Sequence, residues 1–225
     1  MVVRLDCAET AQTGLTIMKP AARPPADNEN CRRLGRRTMR IVAGSAGGRR
    51  FAVPAGTSTR PTSDRAREAM FSTLSSLVDL DGLAVLDLYA GSGALGLEAL
   101  SRGAATATFV ESDPAAASVI STNAAALNLV GFDVRCQPVL RFIRRSDGGP
   151  AYDGMFDIVF ADPPYGLAAR DLADVLTALE ERIAPGAVVV VERSSRSPQW
   201  RWPLPLEGVR VRRYGAGTLW YGRRP

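Results

Sequence analysis

The sequence predicts an α/β fold in which helices wrap a mostly parallel sheet. Apolar runs typical of strands lie near residues 84–89, 106–111, 133–137, 156–161 and 186–192, and helical stretches near 93–102, 114–127, 139–145 and 167–182 separate them. Such alternation favours a parallel sheet, because each crossover helix returns the chain to the same edge. A glycine-rich turn follows the first run and Asp-Pro-Pro-Tyr ends the fourth. Ligands of open α/β sheets bind at such strand ends.

Two short elements are expected before this sheet. Residues 39–55 predict a β-hairpin closed by the glycines at 44–48. A helix over 62–78 follows, with Thr62 or Ser63 as its cap and with apolar residues on one face. Another antiparallel hairpin is expected around 215–217. We predict one domain over 39–225, with a core at 84–222.

Residues 1–38 differ from the rest of the chain. They lack hydrophobic periodicity, and a proline-rich stretch runs from Lys19 to Asn30. Such composition is typical of a disordered extension. Met39 is then expected to be the start of the ordered protein, and the alternative is a basic tail that contacts an anionic partner. Its arginines are Arg32, Arg33, Arg36 and Arg37.

Composition narrows the possible chemistry. The chain has 225 residues, a net charge of +5 and no histidine. The absence of histidine excludes histidine-based triads and removes the commonest metal ligand, so we expect no metal. Cys7, Cys31 and Cys136 are scattered, and without a secretory signal they predict reduced thiols in the cytoplasm. No apolar run of about 18 residues or more predicts a membrane span.

The glycine-rich turn predicts a nucleoside site. Gly91 and Gly93 let backbone amides approach a ligand, and the following helix N-terminus favours negative charge. The run 91–96 also satisfies GxGxxG, a pattern that fits a dinucleotide. Asp87 shifts the balance, because a strand-end carboxylate attracts an ammonium group and repels pyrophosphate. The predicted ligand is a nucleoside that bears an amino acid.

An acidic residue ends the next strand. Glu111 lies 20 residues after Gly91, where the dinucleotide rule places an acid that binds ribose hydroxyls. A single acid after a strand is commonly a turn residue. The spacing from the glycines favours the binding role.

Asp-Pro-Pro-Tyr carries the predicted chemistry. Two prolines force the strand to leave the sheet, because proline has no amide hydrogen to continue the ladder. Asp162 and the Pro163 carbonyl then accept hydrogens from a planar amine, and Tyr165 offers a face on which a base stacks. The alternative is a proline-terminated strand with a solvated aspartate.

At these residues the chain resembles the S-adenosylmethionine-dependent methyltransferases of the Asn/Asp-Pro-Pro-Tyr/Phe group. Within that group it is most similar to the RsmD family, the 16S rRNA guanine-N2 methyltransferases. The segments that select this family are 39–44, 47–54 and 59–71, which include Arg-Pro-Thr-Ser-Asp-Arg at 60–65. The resemblance spans about residues 39–222 and implies a Rossmann-like class I fold with strand order 3-2-1-4-5-7-6.

The resemblance also implies roles for particular residues. The expected catalytic residues are Asp162, Pro163, Pro164 and Tyr165, and the expected cofactor-binding residues are Asp87, Tyr89, Gly91, Gly93, Glu111 and Val139. One departure concerns adenine recognition. Relatives often carry Asp or Asn where this chain has Pro138. The Val139 amide and a stacked apolar side chain are then expected to hold the ring.

Arginines ahead of the cofactor strand predict a phosphate-contacting face. The set is Arg49, Arg50, Arg60, Arg65 and Arg67. Each one singly is as readily explained as solvated surface, and the set together favours RNA. The implied partner is 16S rRNA or the small ribosomal subunit, and we expect a cytoplasmic monomer.

Three other functions are open from the sequence. The motif also allows a DNA adenine-N6 methyltransferase, although little chain remains for a target-recognition segment. A catalytically silent RNA-binding assembly factor would also have this fold, but it would not require the acidic residues and glycines of the cofactor site. A nicotinamide-dependent oxidoreductase fits GxGxxG and leaves Asp-Pro-Pro-Tyr without a purpose.

Overall fold

The structure is a computed structural model that describes residues 37–54, 64–144, 155–164 and 166–225. Several sequence predictions therefore fall outside the described residues. They are the extension up to residue 36, the helix cap at Thr62 or Ser63, and the roles of Arg60 and Tyr165.

A small hairpin and a helix precede the main sheet. Strands β1 (Thr38–Arg40) and β2 (Arg50–Ala52) pair antiparallel, with Met39 opposite Phe51. Helix α1 (Asp64–Ser75) buries Met70, Phe71 and Leu74. Because these residues recur at helical spacing, one face of α1 packs on the sheet.

The main sheet alternates with helices as predicted. In chain order its elements are β3 (Ala84–Leu88), α2 (Ala94–Ser101), β4 (Thr106–Glu111), α3 (Pro114–Ala126), β5 (Phe132–Cys136), α4 (Val139–Arg144), β6 (Phe156–Ala161), α5 (Ala169–Ala178), a 3-10 turn (Glu180–Arg182), β7 (Ile183–Ser194), β8 (Glu207–Tyr214) and β9 (Gly217–Arg223). β8 and β9 form the predicted terminal hairpin.

The topology confirms the predicted fold class. The seven strands lie in the order β5-β4-β3-β6-β7-β9-β8, and the pairs from β5 to β7 are parallel. This whole-chain numbering differs from the expected 3-2-1-4-5-7-6 only because the hairpin contributes two earlier strands. Counted from β3, the order is the same.

Two predicted helices end earlier than expected. The helix predicted over 62–78 ends at Ser75, where the chain enters a turn. The sequence predicted a helix over 167–182, whereas α5 ends at Ala178 and a 3-10 turn covers Glu180–Arg182. Its start is delayed because the Leu167 amide donates to the Pro164 carbonyl in a turn, and Ala168 is extended at ψ 149°. The chain therefore leaves β6 through a tight turn before the helix begins.

Apolar residues cover both faces of the sheet. One core joins the hairpin, α1, α2 and α3 to the sheet through residues such as Phe71, Phe109 and Phe160. The other lies under α4 and α5 and includes Val159 and Leu172. Burial on both faces explains why the strands are continuous apolar runs. Among the described residues, no helix has the length and apolarity to cross a membrane.

Candidate active site

The turn after β3 has the backbone geometry that its glycines allow. Gly91 and Gly93 have φ values of 55° and 76°, in the left-handed region that favours glycine. Gly96 serves a different purpose, since a Cβ there would lie 2.3 Å from the Phe109 ring. Its lack of a side chain lets α2 approach β4 closely. This turn thus holds α2 with its N-terminus at the carboxyl edge of the sheet.

Tyr89 adopts a left-handed backbone with φ 60°, which is uncommon for a residue with a ring. Such conformations concentrate at functional sites. The half-buried side chain packs against the core under α4 and α5, and burial together with the charge of Asp171 raises the pKa of its phenol. The structure thus places Tyr89 at the strand end, while its predicted cofactor contact stays a prediction.

Asp87 is enclosed behind the glycine turn. Its side chain is nearly buried, and Oδ2 accepts a hydrogen bond of 2.9 Å from the Gly96 amide. Burial raises its pKa to about 7; the Gly96 amide opposes this shift and the Glu111 charge adds to it. Asp87 therefore fixes the start of α2. Its predicted contact with an ammonium group remains a prediction.

Glu111 joins the end of β4 to the glycine turn. Its Oε2 accepts a hydrogen bond of 2.8 Å from the Gly91 amide, and Oε1 accepts one of 2.9 Å from the Asp113 amide. A carboxylate has further lone pairs for hydroxyl donors. The carboxylate is held in place before any ligand binds, which suits the predicted ribose contact.

Asp162 follows β6 at the same edge. Leu88 of β3 pairs with Ala161 of β6, so Asp162 lies beside the start of the glycine turn. Burial raises the pKa of Asp162 to about 8, and the charges of Glu192 and Asp87 add to the shift. Pro163 is buried and Pro164 is exposed. The strand end therefore presents a carboxyl group that holds a proton near neutral pH.

Val139 begins α4 at the same edge, beyond β5. Its side chain is 6% exposed, and the Arg141 and Phe142 amides donate to the Pro138 carbonyl over 3.0 and 3.1 Å. Amides in the first turn of a helix lack intrahelical acceptors. The Val139 amide is accordingly suited to the predicted adenine contact, and that contact stays a prediction.

Glu192 is a candidate site residue that was not predicted from the sequence. It lies on β7 directly after the buried run Val188–Val191, and its charge acts on Asp162. The sequence did carry a signal for Glu192, because an acidic residue directly follows an apolar buried strand there, as at Glu111 and Asp162. Together with Asp87 these carboxylates make the edge acidic, so it favours a cationic ligand.

The structure contradicts a phosphate contact for Arg67. Its side chain is 0% exposed. Nη2 donates to the Arg40 carbonyl and, over 3.1 Å, to Asp64, while Nε lies 3.4 Å from Glu98. The prediction was wrong because the basic residue falls on the buried face of α1, where a buried acid compensates its charge.

The remaining arginines of the set differ in exposure. Arg49 is half-buried, and its guanidinium donates to the Leu127 and Ala126 carbonyls at the end of α3 over 2.6 and 2.5 Å. Its donors are thus engaged within the protein. Arg50 and Arg65 are exposed, and Arg50 donates to the Thr38 hydroxyl over 3.2 Å. These two stay candidates for contacts with phosphate.

The buried partner of Arg67 joins the hairpin to α2. Glu98 is 0% exposed and accepts hydrogen bonds from the Val42 and Ala43 amides over 2.7 and 2.9 Å. Arg102 donates to the same carboxylate over 2.7 Å. One carboxylate therefore connects the loop after β1 to the helix that follows the glycine turn. The sequence offered no signal for this link, because its partners are far apart along the chain.

The raised pKa of Asp162 predicts a specific pH dependence of stability. The pKa of Asp162 is about 8 in the folded chain and its ordinary value is 3.8, so at a pH between these values the folded state holds a proton that the unfolded state has lost. The contribution of Asp162 to stability therefore falls as pH rises through this interval. We expect Asp162→Asn to gain stability over the wild type between about pH 5 and pH 8. Urea denaturation at both pH values measures the difference, and a constant difference would contradict the shift.

Comparisons with known proteins now identify the family. A family model described as "Conserved hypothetical protein 95" matches residues 39–223. Ribosomal RNA small subunit methyltransferase D of Escherichia coli is 38% identical over 156 residues, which cover 68% of this chain and 74% of that protein. The chain belongs to the RsmD family. This membership confirms the family and the methyltransferase class expected from the sequence.

Further relatives agree with this assignment. Ribosomal RNA small subunit methyltransferase D of Haemophilus influenzae is 34% identical over 162 residues, which cover 71% of this chain and 81% of the relative. A solved structure from Escherichia coli, described as a candidate methyltransferase, superimposes with a TM-score of 0.69 at 32% identity. That alignment covers 83% of this chain and 98% of the solved chain. The family model, which matches residues 39–223, spans both the hairpin and the main sheet.

Proposed function

We propose that this chain transfers a methyl group from S-adenosylmethionine to the exocyclic N2 of a guanine in 16S rRNA. The observation that carries the proposal is the position of Asp162 and Pro163 at the end of β6, directly beside the glycine turn after β3. A methyl donor on the turn and an amine on Asp162 would then lie next to each other. Holding the two reactants in this geometry lowers the barrier, because it converts a bimolecular step into an effectively unimolecular one.

The charge of the site supports the choice of donor. S-adenosylmethionine carries a sulfonium and an ammonium group, and both are cations. The charge of Glu111 adds to the cost of ionising Asp87, and the charges of Glu192 and Asp87 add to that of Asp162, so a bound cation relieves this cost. A dinucleotide would bring a pyrophosphate to the same carboxylates and be repelled. The acidic edge therefore disfavours the nicotinamide-dependent alternative.

Asp162 has two tasks in the proposed reaction. Its carboxylate and the Pro163 carbonyl accept hydrogens from the guanine amine and turn the nitrogen lone pair towards the methyl group. Bound S-adenosylmethionine would supply the methyl group and a positive charge that favours the ionised carboxylate of Asp162, and that charge would be lost on transfer. The pKa of Asp162 then rises towards its value in the free protein, about 8, and the carboxylate takes the proton that the amine loses.

The names of the relatives favour RNA over DNA. The proteins from Escherichia coli and Haemophilus influenzae are named for ribosomal RNA of the small subunit. Exposed Arg50 and Arg65, on β2 and α1, offer charge for a phosphate backbone. The target base must leave its stack or lie in an exposed loop to reach Asp162. Such a substrate places the chain in the cytoplasm, where we propose that it acts as a monomer.

The direct test of the substrate uses a strain that lacks this chain. Digested 16S rRNA from the mutant should contain one N2-methylguanosine fewer than the parent, as measured by mass spectrometry of oligonucleotide fragments. Restoring the gene should return the modification. An unchanged set of N2-methylguanosines together with a lost N6-methyladenosine in DNA would instead support the adenine alternative.

Glu111 should contribute strongly to cofactor affinity. Since its carboxylate is fixed by the Gly91 and Asp113 amides and faces the proposed ribose site, Glu111→Ala should weaken S-adenosylmethionine binding by about 2–3 kcal/mol. Isothermal titration measures the change, with exposed Glu207→Ala as the control. Equal affinity of Glu111→Ala and the wild type would show that another part of the chain binds the ribose.

Arg50 and Arg65 should set the salt dependence of RNA binding. If each contacts one phosphate, Arg50→Ala and Arg65→Ala should each lower the slope of log affinity against log salt by about 0.7–0.9. Exposed Arg201→Ala, on the other side of the sheet, is the matched control. Cofactor affinity should not change in any variant. Wild-type slopes for both variants would show that the RNA approaches from another side.

A further inference from the structure

Glu192 lies beside Asp162 because of the register of two parallel strands. Ala161 of β6 pairs with Val191 of β7, so the next residue of each strand, Asp162 and Glu192, lies next to the other. Side chains one step beyond a matched pair project from the same face of the sheet. The charge of Glu192 raises the pKa of Asp162, which agrees with this placement. The site thus has two neighbouring carboxyl groups rather than one.

The neighbours of Glu192 show on which face of the sheet its carboxylate lies. The next residue, Arg193, projects to the opposite face, where it donates over 2.9 Å to the carbonyl of Leu167 in the turn after Pro164. Glu192 pairs with Leu219 of β9, and a Cβ at Gly217 would lie 2.7 Å from its Oε1. The glycine therefore makes room for the carboxylate at the edge of the site. The side chain is half-buried, and a carboxylate has several lone pairs for hydrogen-bond donors.

The edge of the substrate base explains why a second carboxyl group is useful. Beside its exocyclic N2 amine, guanine presents a ring N1–H donor. Adenine and cytosine present a bare ring nitrogen, an acceptor, beside their amines. An ionised carboxylate only accepts hydrogen bonds, so it pairs with guanine and repels the lone pair of the other bases. A residue at this position discriminates between bases that share the same amine.

We propose that Glu192 accepts the N1–H of the target guanine and thereby selects guanine over bases with a bare ring nitrogen. This inference rests on the proposed function, since it assumes that Asp162 and Pro163 hold the N2 amine. Glu192 then determines specificity, and Asp162 orients the reacting nitrogen. Sites that hydrogen-bond a substrate donor reject analogues without it, because their buried polar group is left unpaired.

The test replaces the N1–H of the substrate without removing its amine. Synthetic rRNA fragments carry either guanine or 2-aminopurine at the modified position, and 2-aminopurine keeps the 2-amino group but has a bare N1. The ratio of single-turnover methylation rates on the two fragments measures selectivity. Glu192→Gln should lower the ratio of the guanine rate to the 2-aminopurine rate by about tenfold or more, which is the contribution of one hydrogen bond to a charged group. Its glutamine amide can donate to the bare N1.

The controls separate specificity from folding and from cofactor binding. Glu207→Gln makes the same charge change at an exposed position of β8 and should keep the wild-type ratio. Glu192→Gln should bind S-adenosylmethionine within a few-fold of the wild type by isothermal titration. Should it fail to fold, Glu192→Asp withdraws the carboxylate by one methylene and must show a narrowed ratio for the proposal to stand.

The outcomes distinguish this inference from the proposed function. Guanine methylation by the wild type with an unchanged ratio in the folded Glu192 variants would overturn the role of Glu192 alone. A wild-type protein that methylates neither fragment nor intact small subunits would overturn the proposed function and this inference with it. Selective loss of guanine methylation in Glu192→Gln, relative to methylation of 2-aminopurine, supports both the proposed function and the role of Glu192.

Discussion

Replacing Glu98 with alanine is expected to lower the free energy of unfolding by about 3–5 kcal/mol, the scale for breaking a buried ion pair. The variant leaves the buried guanidinium of Arg67 without its acid, and it removes the acceptor of the Val42 and Ala43 amides. Urea denaturation measures the loss. Glu68→Ala, at an exposed position of α1, is the control and should change stability little.

The same experiment tests how the hairpin is attached. Because Glu98 connects the loop after β1 to α2, its loss should also increase hydrogen exchange at the amides of Val42 and Ala43. Arg67→Met combined with Glu98→Gln should recover part of the stability, since the double variant leaves no charge buried. A single Glu98→Ala variant as stable as Glu68→Ala would show that this network contributes nothing to the fold.

Asp162→Ala is expected to lower the single-turnover methylation rate by about a hundredfold or more, the cost of losing one preorganised electrostatic group. Affinity for S-adenosylmethionine should stay within a few-fold, because the groups proposed to hold the cofactor lie at the ends of β3 and β4, on the glycine turn and at the start of α4. Asp174→Ala, exposed on α5, is the matched control for the loss of a carboxylate. Wild-type turnover by Asp162→Ala would mean that another group orients the amine.

The sequence predicted the sheet well because its signals are local. Apolar runs, glycines with a required backbone geometry and prolines at a strand end each depend on a few adjacent residues. The order of the strands was expected from the resemblance to the family. The structure has the same order when its strands are numbered from β3. The end of α5 was less predictable. The turn from Pro164 to Leu167 delays the helix, and that turn depends on how β6 leaves the sheet.

The site was predicted less completely because side-chain roles depend on distant contacts. Arg67 looks like its exposed neighbour Arg65 in sequence, and only the packing of α1 shows that one is buried beside Glu98 and the other faces outward. Glu192 follows a buried strand as Glu111 does, but its nearness to Asp162 depends on the register between β6 and β7 and could not be predicted from the sequence. The position of Asp162 at a strand end was predictable because two prolines mark that end whatever the surroundings.

The central claim is that methyl transfer occurs at the guanine N2 held by Asp162. Small ribosomal subunits from a strain lacking this chain should be incubated with the purified protein and S-adenosylmethionine labelled with deuterium in its methyl group. Mass spectrometry of the digested 16S rRNA should then find the labelled methyl group in N2-methylguanosine with the wild type and almost none with Asp162→Ala. Label in another nucleoside, or equal label with both proteins, would contradict the account.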